Sequence, residues 1–451
     1  MISNKTTLRN QKLANVSKYI FLGLLAYMPF HVFLANWIGT ELNLLEYTKA
    51  AKEPIMLIGF LSILYAERKS LVKTYAKDRW LYAAIIAYSS VVVLSAAIFN
   101  NNHFAESIGI AYDLRLVIFF IYGILIASRF KNQIRKQAIK IVLISGVLVA
   151  IIGVFQVLLL PNNTLSYLGY NKSTGSQQVF YIHDDTQTTE RAFSTIKDPN
   201  ALGAYLGVIL ILLITFLATK KNKPKIFDYV CAITVLVCLF LTYSRSAWIG
   251  LAAGLAFLAL FLFINNQSAQ KFVRKNIKSI MVLVISLTVL LTGFLMLQPN
   301  IYRDVILHNR FNNKVDSNTK RLDQYSEALS VIKNNPVFGM GVGAAGPVSF
   351  KNLPNRPIVS ENYYFQILEE YGLLGFVFFA YIIIYIFAKL YKSAKNYNTY
   401  SLAILTSLVV VLVANLFNHT WTIESVAYVW WGLAGLFLYN SKNFKPEQRG
   451  E

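Results

Sequence analysis

Apolar residues in this chain come in blocks of about 15–22, and the charged residues gather in the short stretches between them. A bilayer core of about 30 Å needs roughly 20 consecutive apolar residues per helix. The chain therefore reads as an all-α polytopic membrane protein. A length of 451 residues alone would suggest roughly two to four soluble domains. Composition overrules that reading, because 55% of the residues are hydrophobic and only 14% charged, against about 25% charged in soluble domains. A soluble enzyme, a secreted disulfide domain, a disordered chain and a DNA-binding domain are all excluded.

About twelve spans are expected, at 20–38, 47–66, 80–99, 108–127, 138–160, 201–219, 226–242, 247–264, 280–297, 372–390, 401–417 and 426–439. They divide the chain into five helices over 1–160, a loop at 161–200, four helices over 201–297, a large loop at 298–371, three helices over 372–440 and a tail at 441–451. The second span fits least well, since it carries Lys49, Lys52, Glu53 and Pro54. The first follows Lys5, Arg9, Lys12 and Lys18 like a signal peptide, but lacks a small-residue cleavage site and is expected to be retained. Cys231 and Cys238 lie two helical turns apart, about 10 Å. A disulfide needs Cα atoms within about 7 Å, so both are expected as free thiols.

An even number of spans puts both termini on one side. The loops and tails of that side hold 28 of the 43 Lys and Arg residues and only Glu67, Asp78, Asp228, Glu447 and Glu451 as acids. Basic loops stay in the cytoplasm, so the net charge of +21 is a topology signal rather than a nucleic-acid surface. The loops at 161–200 and 298–371 then face outward in the cytoplasmic membrane. Loops longer than about 15 residues are usually functional or disordered. In the second, Leu322, Tyr325, Leu329 and Ile332 repeat with helical spacing. Asp316 or Ser317 would cap that helix and Asn335-Pro336 would end it. No internal repeat is visible, which weighs against a transporter or lipid-oligosaccharide flippase.

Three arginines stand near the outer face. Arg245 lies in Thr242-Tyr-Ser-Arg-Ser-Ala-Trp248, between two closely spaced spans. Arg321 opens the amphipathic helix, and Arg191 begins a polar stretch that runs through Asp198-Pro-Asn200 into a span. An arginine at membrane depth is costly and usually lines a cavity. Each could grip a phosphate through its bidentate fork, or serve as an ion-pair or interfacial anchor. In Glu361-Asn362-Tyr363-Tyr364, the carboxylate could take a proton as a general base, or favour the positive end of a helix. Tyr167, Tyr170, Tyr181, Tyr363 and Trp421 could stack on sugar rings or form the interfacial aromatic belt. Gly341-Val-Gly-Ala-Ala-Gly346 matches a dinucleotide fingerprint without the strand that it requires, and reads as a turn after a helix. His183-Asp184-Asp185 has no partner ligands at metal-binding spacing, and His31 reads as a core or cavity residue.

Three stretches together carry a family resemblance: Leu241-Thr-Tyr-Ser-Arg-Ser-Ala-Trp-Ile-Gly250; Arg321 with Ala328-Leu329 and Asn335-Pro336-Val-Phe-Gly-Met-Gly341; and Glu361-Asn362 with Gln366, Leu368 and Gly372-Leu-Leu-Gly375. The stretch from Arg191 to Asn200 adds to them. With these motifs the chain resembles the O-antigen ligase / O-antigen polymerase family of bacterial polysaccharide assembly. The resemblance implies a GT-C type fold and a glycan donor on undecaprenyl pyrophosphate, with transfer to a glycan or lipid acceptor among membrane lipids. It implies that Arg245 and Arg321 bind the pyrophosphate, that Glu361 stands where the ligases have a histidine, and that Arg191, Asn200, Asn362 and Tyr363 belong to the substrate site. It requires no cofactor, metal or nucleic acid. Glutamate in place of histidine, and Asn-, Lys- and Ile-rich outer loops, favour a polymerase over a ligase that loads a lipid or protein anchor.

This topology has a direct test. An impermeant thiol reagent should label Asn313→Cys in intact cells lacking an outer barrier; protection from the reagent would overturn the outward placement of 298–371.

Overall fold

The computed structural model describes residues 2–99, 102–171, 178–181, 190–219, 224–265, 317–353, 355, 357–396 and 398–438. Among them the regular secondary structure is helical, apart from one isolated antiparallel bridge between Tyr181 and Glu190. The helices are α1 (Ile2–Tyr27), α2 (His31–Glu41), α3 (Leu45–Ala50), α4 (Lys52–Ala66), α5 (Arg68–Lys77), α6 (Arg79–Ile98) and α7 (His103–Leu158). They continue with α8 (Pro199–Thr219), α9 (Ile226–Leu241), α10 (Arg245–Asn265), α11 (Ser317–Asn334), α12 (Ser349–Asn352), α13 (Tyr363–Lys395), α14 (Thr399–Ala414) and α15 (Glu424–Leu438).

Among the described residues, six helical stretches are long and apolar enough to cross a membrane: Leu8–Glu41, Arg79–Ile98, His103–Leu158, Pro199–Thr219, Arg245–Asn265 and Tyr363–Lys395. The shorter α9, α14 and α15 are also apolar. Helix stands at every expected span except 280–297, which lies outside the described residues. Mid-helix residues such as Ile86, Leu148, Ile233, Leu260 and Ile384 are exposed. Apolar residues turned outward on this scale mark a surface made for lipid. The chain is a multi-pass membrane protein.

Helix α7 contains two spans rather than one. Its backbone breaks at Lys131 (φ 52°, ψ −131°). The first half runs alongside α15, with Arg115 reaching Thr422 just before it; Arg135, just past the break, reaches Leu436 near the other end of α15. A Cβ on Gly435 would lie 2.1 Å from the Phe120 carbonyl, so these two helices can approach this closely only over glycine. The second half returns to the starting end, where Gln156 bonds Glu190 at 2.6 Å.

The charges that argued against the second span are paired inside the bundle. Lys52 lies 3.7 Å from both Glu53 and Glu424, and Arg115 lies 3.8 Å and 3.7 Å from the same two carboxylates. Tyr428 donates to Glu53 at 2.8 Å. Pro54 falls in the first turn of α4, where its missing N–H costs nothing. Two cations and two carboxylates thus cancel across α4, α7 and α15, offsetting a burial that an unpaired ion could not sustain.

Helix α13 breaks at Gly372 (φ 60°), where any Cβ would lie 2.3 Å from the carbonyl carbon of Val337. The N–H groups freed by the break, at Leu373 and Leu374, donate to the carbonyls of Pro336 and Val337. The carbonyls of Glu369 and Glu370 accept from Met340 and Gly341. The strap at 336–341 thereby completes the broken helix and ties the polar 335–362 segment to a span.

Arg115→Met should destabilise the protein by about 3–5 kcal/mol, because it leaves an uncompensated buried carboxylate. The double variant Arg115→Met/Glu424→Gln should recover part of that loss in thermal unfolding. Equal stability of the single variant and wild type would contradict the paired network.

Candidate functional site

The arginines and Glu361 meet at one end of the bundle. Helices α10 and α14 pack antiparallel: a Cβ on Gly254 would touch Val410 and the Thr406 carbonyl, and one on Gly250 would touch Val410 and Ala414. The start of α10 at Arg245 therefore lies near the end of α14. There the Asn415 carbonyl accepts from Tyr363 N–H at 3.0 Å, and the Leu416 carbonyl from the Tyr325 hydroxyl at 3.0 Å. Tyr363 follows Glu361 by two residues, and Tyr325 lies one turn beyond Arg321.

Arg321 and Glu361 form a direct ion pair, with Nε 2.7 Å from Oε2. The two sit 40 residues apart in sequence. Both side chains are partly solvent-accessible, so the pair itself contributes little to stability. Glu361 also has φ +46°, in the left-handed region that non-glycine residues adopt at a cost of roughly 1–2 kcal/mol. Strain of this kind persists where surrounding structure imposes it, and collects at functional sites.

The hinge before Arg245 has the same character. It is three residues long, Thr242–Ser244, and Tyr243 has φ +51°. Arg191 holds it: Nε and Nη2 donate to the Thr242 carbonyl at 2.9 and 2.8 Å, and Nη2 to Asn200 at 3.2 Å. The Ala192 N–H reaches the Leu241 carbonyl at 2.9 Å. Gln156 fixes the following residues by accepting from the N–H groups of Phe193 and Ser194. Arg191 and Asn200 thus anchor the hinge, the positioning role left open by the sequence. Arg245 is exposed at the first position of α10.

Other expected residues take structural places. Asn362 caps α13 by accepting from the N–H groups of Tyr364 and Phe365 at 2.9 and 3.2 Å. The Tyr363 ring is fully buried and its hydroxyl faces Asp113, so it presents no stacking surface. Tyr170 and Trp421 are buried too, whereas Tyr167 is exposed. Helix α11 spans Ser317–Asn334 and ends before Asn335-Pro336, and its packed face is only partly the expected one: Tyr325 and Ile332 are half-buried. Leu322 and Leu329 are exposed, and Arg321 and Ala328 turn inward beside Tyr325 in their place. The pull of Glu361 on Arg321 and of Leu416 on Tyr325 outweighs the leucine periodicity. In the turn at 341–346, the Glu370 carboxylate accepts from Gly343 N–H at 2.9 Å, occupying the position that a phosphate would need. Asp316 and His183-Asp184-Asp185 lie outside the described residues.

The connection at 415–423 was not singled out in the sequence beyond Trp421. It lies between the two halves of the site: Asn415 touches the Glu361 segment, Thr422 takes Arg115, and His419 lies within electrostatic reach of Lys197. The only signal was a polar interruption, Asn418-His-Thr-Trp-Thr422, between two apolar blocks.

Comparison with known proteins agrees with the motifs. Residues 229–380 match the family model described as O-Antigen ligase, which supports the O-antigen ligase/polymerase resemblance. The match includes Arg245, Arg321 and Glu361 but not Arg191 or Asn200. The chain is also similar to an uncharacterised protein of Haemophilus influenzae, with 24% identity over 244 residues, covering 51% of this chain and 59% of the relative.

The strained backbone predicts an ordering of variants. Glu361→Ala and Glu361→Gly both lose the carboxylate, but only glycine accepts the left-handed conformation freely. Glu361→Gly should be the more stable by about 1 kcal/mol in thermal or denaturant unfolding. An alanine variant as stable as the glycine variant would contradict the geometry.

Proposed function

We propose that this chain is an integral-membrane glycosyltransferase that polymerises glycan repeats carried on undecaprenyl pyrophosphate, outside the cytoplasmic membrane. The observation that carries the reading is the 2.7 Å pair between Arg321 and Glu361, at the same bundle end as Arg245 and within the family match. The polar end faces outward, both termini are cytoplasmic, and the helices form a GT-C type scaffold.

In this reading, the acceptor hydroxyl gives its proton to Glu361 as its oxygen attacks the anomeric carbon of the donor. The bond from that carbon to the pyrophosphate oxygen breaks, and its electron pair leaves on the pyrophosphate. Arg245 and Arg321 stabilise the developing charge; preorganised cations act most strongly where charge appears only in the transition state. Before the donor binds, Glu361 occupies Arg321. The incoming pyrophosphate competes for that guanidinium and releases the carboxylate to act as base. Arg191 serves by holding the hinge that presents Arg245. No metal takes part in this scheme.

Purified protein given only undecaprenyl-pyrophosphate repeat units should produce a ladder of longer lipid-linked chains. Transfer only after an anchor lipid or protein is added would instead establish a ligase. Movement of the lipid-linked unit across the membrane without any new bond would establish a flippase. Glu361→Gln should lower the rate about 10²–10⁴-fold with protein level unchanged. Arg245→Lys or Arg321→Lys should lose much of the activity, since an ammonium cannot reproduce the fork. Full activity in all three variants, or a loss on EDTA treatment that a metal restores, would reject the mechanism.

A further inference from the structure

The basic stretch between α4 and α6 is a helix of its own, α5 (Arg68–Lys77), and none of its residues is buried. It stands at the far end of the bundle from the 341–346 turn and Glu361. Helix α4 starts at the Lys52–Glu424 contact, and near the end of α6 the Ser95 hydroxyl accepts from Val342 N–H at 3.2 Å. Helix α5 joins the opposite ends of both.

Residues three and four apart share a face of a helix, and this spacing divides α5 into three faces. Ser70, Leu71 and Thr74 are half-buried against the protein, where the Tyr82 hydroxyl donates to Thr74 Oγ1 at 2.9 Å. Val72, Tyr75 and Ala76 form an exposed apolar face, on which Val72 keeps 66% and Tyr75 48% of its surface. Lys69, Lys73 and Lys77 form an exposed basic face beside it. The two acids that flank the helix are engaged by other helices: Glu67 lies 3.6 Å from Arg129, and Asp78 lies 2.7 Å from Lys389. Two exposed aromatic rings bracket α5, each with a guanidinium over it. Arg68 lies 5.0 Å from the Tyr65 ring and Arg79 lies 5.3 Å from the Trp80 ring. Amphipathic rings of this kind settle at the level of lipid headgroups.

We propose that α5 is an interfacial helix that binds anionic phospholipids, with Val72, Tyr75 and Ala76 among the upper acyl chains and Lys69, Lys73 and Lys77 on the headgroup phosphates. A helix with one apolar and one lysine-rich face lies in the plane of the membrane surface, held by apolar burial and by attraction to anionic lipids together. An acidic protein or a nucleic acid would satisfy the lysines but leave Val72 and Tyr75 in water. A bilayer surface satisfies both faces at once. In the topology proposed above this surface belongs to the cytoplasmic leaflet. Because α5 continues directly into α6 and follows α4, its grip on the headgroups fixes the depth of two spans. The inference does not depend on the glycosyltransferase reading.

The test uses the full-length protein in phosphatidylcholine nanodiscs, with a fluorophore on Ala76→Cys and with Cys231 and Cys238 replaced by alanine. Phosphatidylcholine or phosphatidylglycerol carrying a nitroxide close to the headgroup is added as quencher. Both lipids should quench, and phosphatidylglycerol more strongly. Lys69→Gln/Lys73→Gln/Lys77→Gln should lower the association constant of phosphatidylglycerol relative to phosphatidylcholine about 10- to 100-fold, since each lysine at an anionic surface contributes a factor of about five. The triple arginine variant should keep the preference, and high salt should weaken it. Inorganic phosphate exchanged for chloride at constant ionic strength should change nothing; relief of quenching would assign the lysines to free phosphate and overturn the proposal. No quenching by either lipid would place α5 outside the membrane surface. Equal quenching by both, or a glutamine variant that keeps the preference, would remove the anionic lipid. Each of these results overturns the proposal and leaves the glycosyltransferase reading untouched.

Discussion

Arg115 is fully buried among apolar helices and makes contact in three directions. It faces Glu53 on α4 and Glu424 on α15, and it donates to the backbone of Thr422. Lys52 closes the set from the same helix as Glu53. The attraction among these charges is strong because the surroundings are poor in water, and the penalty for losing one is correspondingly large. Three helices are thereby fixed in relation to one another, and the connection at 415–424 is fixed on top of them. Glu361, Lys197 and the hinge before Arg245 are arranged around that connection, so the geometry of the polar end depends on an ion network within the bundle.

The second organising feature is backbone strain. Glu361 and Tyr243 both take left-handed φ values although neither is glycine. Each is held by a contact from elsewhere in the chain. Glu361 is paired with Arg321, and the hinge is gripped by Arg191 through the Thr242 carbonyl. The strap at 336–341 adds to this by completing the broken helix α13 at Gly372, so the segment leading to Glu361 is continuous with a span. Rigid placement of a base and of cations is what a transfer reaction without a metal would need from a protein.

The membrane helices were legible in the apolar blocks, because hydrocarbon demands them and few other residues satisfy it. Arg245, Arg321 and Glu361 were legible as charged or polar residues in unlikely places within recognisable motifs. What the sequence concealed depended on partners distant in the chain. Lys52 and Glu53 argued against a span until Arg115 and Glu424 neutralised them. The periodicity of α11 suggested Leu322, Tyr325, Leu329 and Ile332 as an inward face, but the two leucines are exposed and Arg321 joins Tyr325 on the packed side through its contact with Glu361. Tyr363 looked like an outward aromatic and is core, because Asp113 lies within the bundle to receive its hydroxyl.

The central claim is that Arg245 and Arg321 approach one pyrophosphate from two sides of the 415–424 connection. A cryo-electron microscopy structure of the full-length protein with undecaprenyl pyrophosphate bound tests it most directly. The account predicts phosphate density between the two guanidinium groups, with the Arg321–Glu361 pair opened and the lipid tail leaving between spans. Phosphate density at the opposite end of the bundle, or at this end with Arg321 still bonded to Glu361 and Arg245 turned away, would contradict it.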